Sequence, residues 1–195
     1  IIFFYGDYEN HVLMDLLNLK YVISYANRSY GLRGSYLPRA FIVPRAKTLP
    51  KKEILDHLIA PDFDPRKVVL LESDAPPSGP SGKISQVGQP PGKATITSYR
   101  PDEIVINTDS QASGFLFLSE AFYPGWKAYL NDKPVKILRG NYLFRVIQVP
   151  QGRHVVRFVF DPVSIKVGAC ITILTIFLIV IAVSRHAIKS RKPQR

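Results

Sequence analysis

Cysteine is almost absent from this chain of 195 residues, which contains only Cys170. A single cysteine cannot form an internal disulfide, so a small secreted scaffold held by disulfides is excluded. Zinc modules built on paired cysteines are excluded as well, because Cys170 has no cysteine partner and the four histidines lie far apart. We therefore expect no metal site and no cofactor.

The signatures of common catalytic sites are also missing. The sequence has no G-x-S-x-G nucleophile elbow, no Walker phosphate loop and no H-E-x-x-H zinc motif. Asp7, Glu9, His11 and Asp15 form a polar group that could supply an acid, a base or ligands. Acidic residues at a helix N-terminus are favoured by the helix dipole, which is the simpler interpretation. We expect no catalytic residue in this chain.

Acidic residues are scarce, with 15 Asp and Glu against 26 Lys and Arg, and the net charge is +11. Such a surplus is typical of nucleic-acid-binding proteins. Its distribution argues otherwise, because five cations lie in the acid-free end RHAIKSRKPQR (185–195). Six more lie in residues 33–52, where they could attract lipid head groups or an anionic wall polymer, or could form a solvated edge. We expect no nucleic-acid partner.

One long apolar run covers residues 167–184, eighteen positions without a charge. A helix of that length spans about 27 Å, close to the hydrocarbon core of about 30 Å. A lone segment in lipid must be helical, because only a helix satisfies its own backbone groups. We predict a transmembrane helix over residues 165–185, with Cys170 inside it.

The charge at the end of this span predicts its orientation. By the positive-inside rule the basic tail, residues 186–195, lies in the cytoplasm. Residues 1–164 are then extracytoplasmic, on the outer side of a bacterial inner or plasma membrane. The chain begins at Ile1 without a signal peptide, so we expect an upstream transmembrane region of the same, longer protein to direct this export.

The exported part divides at residues 75–92, where half of the positions are Pro or Gly, which is typical of a linker. Residues 1–74 predict a small α/β layer, with helices over 9–19 and 51–59 and strands over 20–25, 39–43 and 67–72. Residues 93–164 alternate apolar and polar positions between turn signals at roughly ten-residue spacing. They predict an antiparallel β-sandwich of about seven strands, so the fold class is α+β. Whether the two parts pack as one body stays open.

The most distinctive candidate for binding is the segment FYPGWKAY at residues 122–129. Aromatic rings beside a Pro-Gly turn could form a platform for the apolar face of a sugar, with hydrogen bonds from the neighbouring hairpin. The candidate glycan-binding residues are Tyr123, Trp126, Tyr129, Arg139, Asn141 and Tyr142. The alternative is that Trp126 is simply the core aromatic of the sandwich.

Five blocks of sequence resemble, in the same order, the C-terminal region of YfhO-type bacterial membrane proteins. They are DLLNLKYVIS (15–24), LPRAFIVPRAK (37–47), FDPRKVVLLE (63–72), FLSEAFYPGWKAYLNDKPVKI (117–137) and VPQGRHVVRFVFDPVSIKVG (149–168). The resemblance implies a large polytopic protein related to the GT-C class of glycosyltransferases, which use a lipid-linked sugar donor outside the membrane. The catalytic acidic residue of that class lies in the first extracytoplasmic loop of the membrane half, so none carries over to this chain.

We therefore expect the extracytoplasmic C-terminal module and last membrane span of a protein that glycosylates envelope polymers, such as teichoic acid or polysaccharide. The module itself would be non-catalytic, with an acceptor-binding or structural role. Its expected partners are membrane lipid, a lipid-linked sugar or anionic envelope polymer, and the upstream transmembrane region. The alternative is a membrane-tethered β-sandwich that binds or organises envelope components without transferase activity.

Overall fold

The computed structural model describes residues 11–24, 29–72 and 92–190. The described residues form two compact units, one ending at Phe160 and the other beginning at Asp161. Asp7 and Glu9 of the predicted polar group, residues 75–91 of the predicted linker and residues 191–195 of the basic tail lie outside the described residues.

The part before the Pro/Gly-rich stretch has two helices and five strands among its described residues. They are α1 (His11–Leu16), β1 (Tyr21–Ser24), β2 (Ser29–Leu32), β3 (Ala40–Val43), β4 (Arg45–Leu49), α2 (Lys51–Leu58) and β5 (Val68–Glu72). Strands β4 and β5 pair in parallel, with α2 as the crossover between them. Helix α2 turns Ile54 and Leu58 into the core, as their spacing predicts. Strands β2 and β4 had no clear signal in the sequence.

Eight strands follow the Pro/Gly-rich stretch. They are β6 (Gly92–Tyr99), β7 (Glu103–Ser110), β8 (Gly114–Ala121), β9 (Trp126–Leu130), β10 (Lys133–Val135), β11 (Leu138–Gly140), β12 (Phe144–Val149) and β13 (Gly152–Phe160). The sequence predicts one strand over residues 135–138, whereas the structure has two short strands there, β10 and β11. They belong to different sheets, because the chain crosses from one layer to the other between them.

Two sheets face each other in the first unit, and this confirms the predicted α+β fold with a sandwich-like arrangement. One sheet has the order β10-β9-β13-β7-β6 and the other β3-β8-β12-β11-β5-β4. The six-stranded sheet draws strands from both sides of the Pro/Gly-rich stretch, with β3 on β8 and β5 on β11. The parts before and after the Pro/Gly-rich stretch therefore pack as one body, which the sequence had left open.

Two apolar cores lie on opposite faces of the six-stranded sheet. The core between the sheets is built from alternate residues of both, including Ile106, Leu116, Ile147, Val156 and Phe158. The second core lies under the helices and includes Val43, Ile54, Leu58, Val69, Phe117 and Val146. The six-stranded sheet is thus covered on both faces, which explains why β12 is apolar at most of its positions.

The second unit contains α3 (Val163–Ser190). Within the described part of the chain, α3 is the one helix long and apolar enough to cross a membrane, over Val163–Arg185. Its two threonine hydroxyls donate to the backbone one turn earlier, Thr172 to Gly168 O and Thr175 to Ile171 O, both at 2.9 Å. These bonds satisfy the hydroxyls inside an apolar segment. The predicted span at residues 165–185 falls within this helix.

Candidate functional site

A sharp turn positions the aromatic segment. Trp126 N–H donates to Tyr123 O at 3.4 Å, with Pro124 and Gly125 between them. Gly125 has φ +104°, a backbone conformation that favours glycine, and proline before glycine is the pattern of a type II turn. The turn ends β8 and starts β9 with Trp126. The Pro-Gly pair therefore serves to place the two flanking aromatic rings.

Trp126 lies at the end of the sandwich, half-buried. It pairs with Phe160 across β9 and β13, and the two ring centroids are 5.3 Å apart. The Arg145 guanidinium lies 3.8 Å from the centroid of the indole ring. Trp126 packs against the inter-sheet core but remains partly exposed. Its position is therefore compatible with both alternatives from the sequence, a core aromatic and a ring that a ligand can reach.

Arg145 is the unexpected residue of the site. It is only 4% exposed, although it is a charged side chain on the mostly apolar β12. Its Nε donates to Ala121 O at 2.9 Å, and its Nη1 has no hydrogen-bond partner among the described residues. Burial lowers the pKa of Arg145, and the negative charge of Glu120 opposes that shift. The sequence did contain one sign of this residue, because Arg145 stands alone among the apolar residues of a predicted strand.

Glu120 links three distant parts of the chain beside Arg145. It accepts a hydrogen bond from the Tyr99 hydroxyl, and its Oε1 lies 3.3 Å from Arg39 Nη1. The Arg39 guanidinium in turn lies 5.0 Å from the centroid of the Tyr99 ring. Burial and the bond to Glu120 raise the pKa of Tyr99. Sequence reasoning missed this group because its members come from β6, β8 and the residue before β3, which are far apart in the sequence.

A pocket of about 290 Å³ opens beside Trp126. Its lining is mainly aromatic and apolar and includes Tyr123, Pro124, Trp126, Tyr129, Pro134 and Ile137. Three of the six candidate glycan-binding residues, Tyr123, Trp126 and Tyr129, therefore meet at one pocket. The Arg157 guanidinium lies 4.9 Å from the centroid of the Tyr129 ring and supports it from the sheet. We call this site the aromatic pocket.

The other three candidates lie outside the lining of the aromatic pocket. Arg139 forms an ion pair with Glu72 at 3.2 Å. Asn141 is buried, and its Oδ1 accepts from Leu70 N–H at 2.8 Å, which ties the β11–β12 loop to β5. Tyr142 is exposed, with its backbone in the left-handed region at φ +71°. The structure places Tyr123, Trp126 and Tyr129 in the lining of one pocket, whereas the other three candidates lie on the neighbouring β11 and β11–β12 loop.

Several of the other polar residues singled out in the sequence have partners within the protein. Asp15 of the polar group forms an ion pair with Arg33 at 2.6 Å. In the basic stretch, Arg39 contacts Glu120 and Lys51 lies 3.9 Å from Glu72. Among the residues that the structure describes, no group of three or more His, Cys, Asp or Glu could hold a metal ion.

Comparison with known proteins gives one match. Residues 85–172 match the family described as bacterial membrane protein YfhO. The matched range contains all eight strands from β6 to β13, the aromatic pocket and the start of α3. No curated protein and no solved structure matches the chain. The match confirms the resemblance over this region.

Proposed function

From the premise that residues 85–172 are a YfhO-type region, we propose that this chain is the extracytoplasmic C-terminal module and last membrane span of an envelope glycosyltransferase. The whole protein would transfer a sugar from a lipid-linked donor to an envelope polymer such as teichoic acid or polysaccharide. The module is non-catalytic, and it holds the acceptor glycan in the aromatic pocket.

The candidate span and the charges after it support the proposed location. Helix α3 is apolar over Val163–Arg185, and the chain that follows carries cations and no acid. The positive-inside rule places such a tail in the cytoplasm and the sandwich outside. In this orientation the aromatic pocket is on the side of the membrane where envelope polymers are built.

The observation that carries the proposal is the composition of the aromatic pocket. Tyr123, Trp126 and Tyr129 offer apolar ring faces and two hydroxyls in a space of about 290 Å³. Sugars present apolar C–H faces and polar edges, so rings with polar tips match both kinds of surface. Arg145 and Phe160 hold the indole ring in place, which reduces the entropy that binding must overcome.

The contacts of Glu120 support a binding role rather than catalysis. Glu120 accepts from Tyr99 and forms an ion pair with Arg39. A general acid or base must exchange its proton with the substrate, and these contacts occupy Glu120 with packing partners. We accordingly place the catalytic residues in the upstream membrane region of the same protein.

The test compares two pairs of tyrosines in the full-length protein. Tyr123→Ala with Tyr129→Ala removes two rings of the pocket, and Tyr21→Ala with Tyr30→Ala removes two exposed rings elsewhere. We expect the pocket pair to lower polymer glycosylation by about tenfold, since lost aromatic anchors typically cost 1–2 kcal/mol of binding. The control pair leaves glycosylation unchanged.

Glycosylation at the full rate in the pocket pair would contradict the acceptor-binding role. If the polymer carried no sugar with or without the protein, the transferase assignment would be wrong, and the alternative of a tethered structural module would replace it. Membrane insertion of each variant is checked by fractionation, so that loss of protein is not mistaken for loss of binding.

A further inference from the structure

Three large side chains are exposed on the loops that follow β8 and β11. The exposed fractions are 63% for Tyr123, 44% for Tyr142 and 44% for Leu143. They lie together, because Phe122 N–H donates to Leu143 O at 2.6 Å and joins the two loops that carry them. We call Tyr123, Tyr142 and Leu143 the aromatic rim. Only Tyr123 also lines the aromatic pocket, so the rim is a separate surface.

The backbone of the rim is held in an unusual conformation. Asn141 and Tyr142 have φ +44° and +71° in the short loop between β11 and β12. Asparagine tolerates this left-handed region, but a bulky side chain there costs about 1–2 kcal/mol. Glycine would adopt this backbone conformation at position 142 without strain. A strained tyrosine whose ring is exposed rather than packed in the core indicates a role outside folding.

Cationic side chains flank the rim. The Arg139 guanidinium lies 4.8 Å from the centroid of the Phe122 ring, and Lys127 is exposed one residue after Trp126. Tyrosine and tryptophan concentrate at the membrane–water interface, where an apolar ring meets a polar layer. Lysine and arginine favour the anionic head groups at the same depth. The combination matches an interfacial lipid layer.

The covalent chain limits how far this surface can be from a membrane. Only Asp161 and Pro162 separate Phe160, the last residue of β13, from Val163, the first residue of the candidate span. Three steps of 3.8 Å between successive Cα atoms allow at most about 11 Å. The Tyr123 ring centroid is 6.3 Å from that of Phe160, so the rim belongs to the tethered end of the sandwich.

We propose that the aromatic rim docks into the interfacial layer of the bilayer that holds α3. The bilayer is the occupant because the chain enters it three residues after Phe160. Docking adds a second attachment beside the covalent one and fixes the end of the sandwich that carries the aromatic pocket. The inference does not depend on the glycan, since Tyr142 and Leu143 do not line the pocket.

The single tryptophan of the chain makes the test direct. Trp126 is the one indole of the 195-residue protein, and its ring lies 5.3 Å from Phe160. The protein is reconstituted into liposomes of phosphatidylcholine and phosphatidylglycerol, with and without phosphatidylcholine spin-labelled near the head group. We expect the labelled lipid to quench Trp126 emission and Tyr142→Ser with Leu143→Ser to reduce the quenching by about twofold or more.

Leu55→Ser is the matched control, because Leu55 is also 44% exposed but lies on α2. It should leave the quenching unchanged. Absence of lipid quenching in the natural protein, or equal quenching in the rim variant, would overturn the proposal. The response of Trp126 to lipoteichoic acid in detergent, without a bilayer, tests the aromatic pocket separately. A retained glycan response with no lipid quenching would refute docking alone.

Discussion

The middle of the sandwich and its tethered end are built by the same two sheets, yet they are filled differently. In the middle, side chains such as Ile106, Val156 and Phe158 pack into an apolar core. At the end, the buried Arg145 lies against Trp126 and a pocket opens beside it. The apolar composition of the middle is the one expected where side chains serve only to stabilise the fold. The end includes a buried charge that stability alone does not require.

The largest effect should come from the middle. Phe158 is fully buried, so Phe158→Ala should lower the free energy of unfolding by about 3–5 kcal/mol through lost burial and a residual cavity. Urea denaturation of the detergent-solubilised protein measures it. Val155→Ala is the control, because Val155 lies on the same strand but is 48% exposed, so its truncation should cost less than about 0.5 kcal/mol. Equal costs would mean that the middle is not the stabilising core.

Trp126 should contribute less to stability than Phe158 and more to binding. Trp126→Ala should cost about 1–3 kcal/mol of unfolding free energy, because the ring is only half-buried. Trp126→Phe keeps an aromatic ring and should recover part of that loss. The measurement combines denaturation with binding of lipoteichoic acid by calorimetry. A loss as large as that of Phe158→Ala would remove the distinction between the two regions.

Substitution of Arg145 tests whether its buried charge contributes to glycan binding rather than to the stability of the fold. Arg145→Met preserves much of the volume and removes the charge, so we expect stability to change by less than about 1 kcal/mol. A double-mutant cycle with Trp126→Phe should show a coupling of about 0.5–2 kcal/mol. The same variant should weaken glycan binding, since the ring loses its support. Unchanged binding would assign Arg145 to packing only.

The smallest effect concerns pH at the group formed by Tyr99, Glu120 and Arg39. The folded-state pKa of Tyr99 is raised, so its stabilising contribution is complete below the ordinary value of 10.0 and is lost as the pH rises through the raised pKa. Melting temperatures at neutral and alkaline pH measure this loss. Tyr99→Phe, which cannot ionise, should reduce the alkaline part of it. An identical pH profile would contradict the shift.

Local sequence patterns predicted those helices and strands whose formation depends on neighbouring residues in the chain. The apolar run predicted α3, and alternation predicted the strands from β6 to β9 and β12 to β13. The single strand predicted over residues 135–138 was wrong, because periodicity does not show where a chain changes sheets. The packing of the parts before and after the Pro/Gly-rich stretch depends on pairing such as that of Leu71 with Gly140, which no local pattern encodes.

The three aromatic candidates that line one pocket were accessible from the sequence for a similar reason. Tyr123, Trp126 and Tyr129 are close in sequence and share one turn and one strand, so their meeting was accessible to local reasoning. The support under Trp126 comes from Arg145 on β12, which is brought there by the packing of two sheets. Tertiary structure alone could reveal that contact.

The most direct test of the central claim follows Trp126 fluorescence as lipoteichoic acid is added to the 195-residue protein in detergent. We predict a saturable change in emission for the unsubstituted chain. Tyr123→Ala with Tyr129→Ala should abolish it without a comparable change in the melting temperature, because both rings line the pocket. An unchanged titration in that variant, with the protein folded, would contradict the assignment of the aromatic pocket as a glycan site.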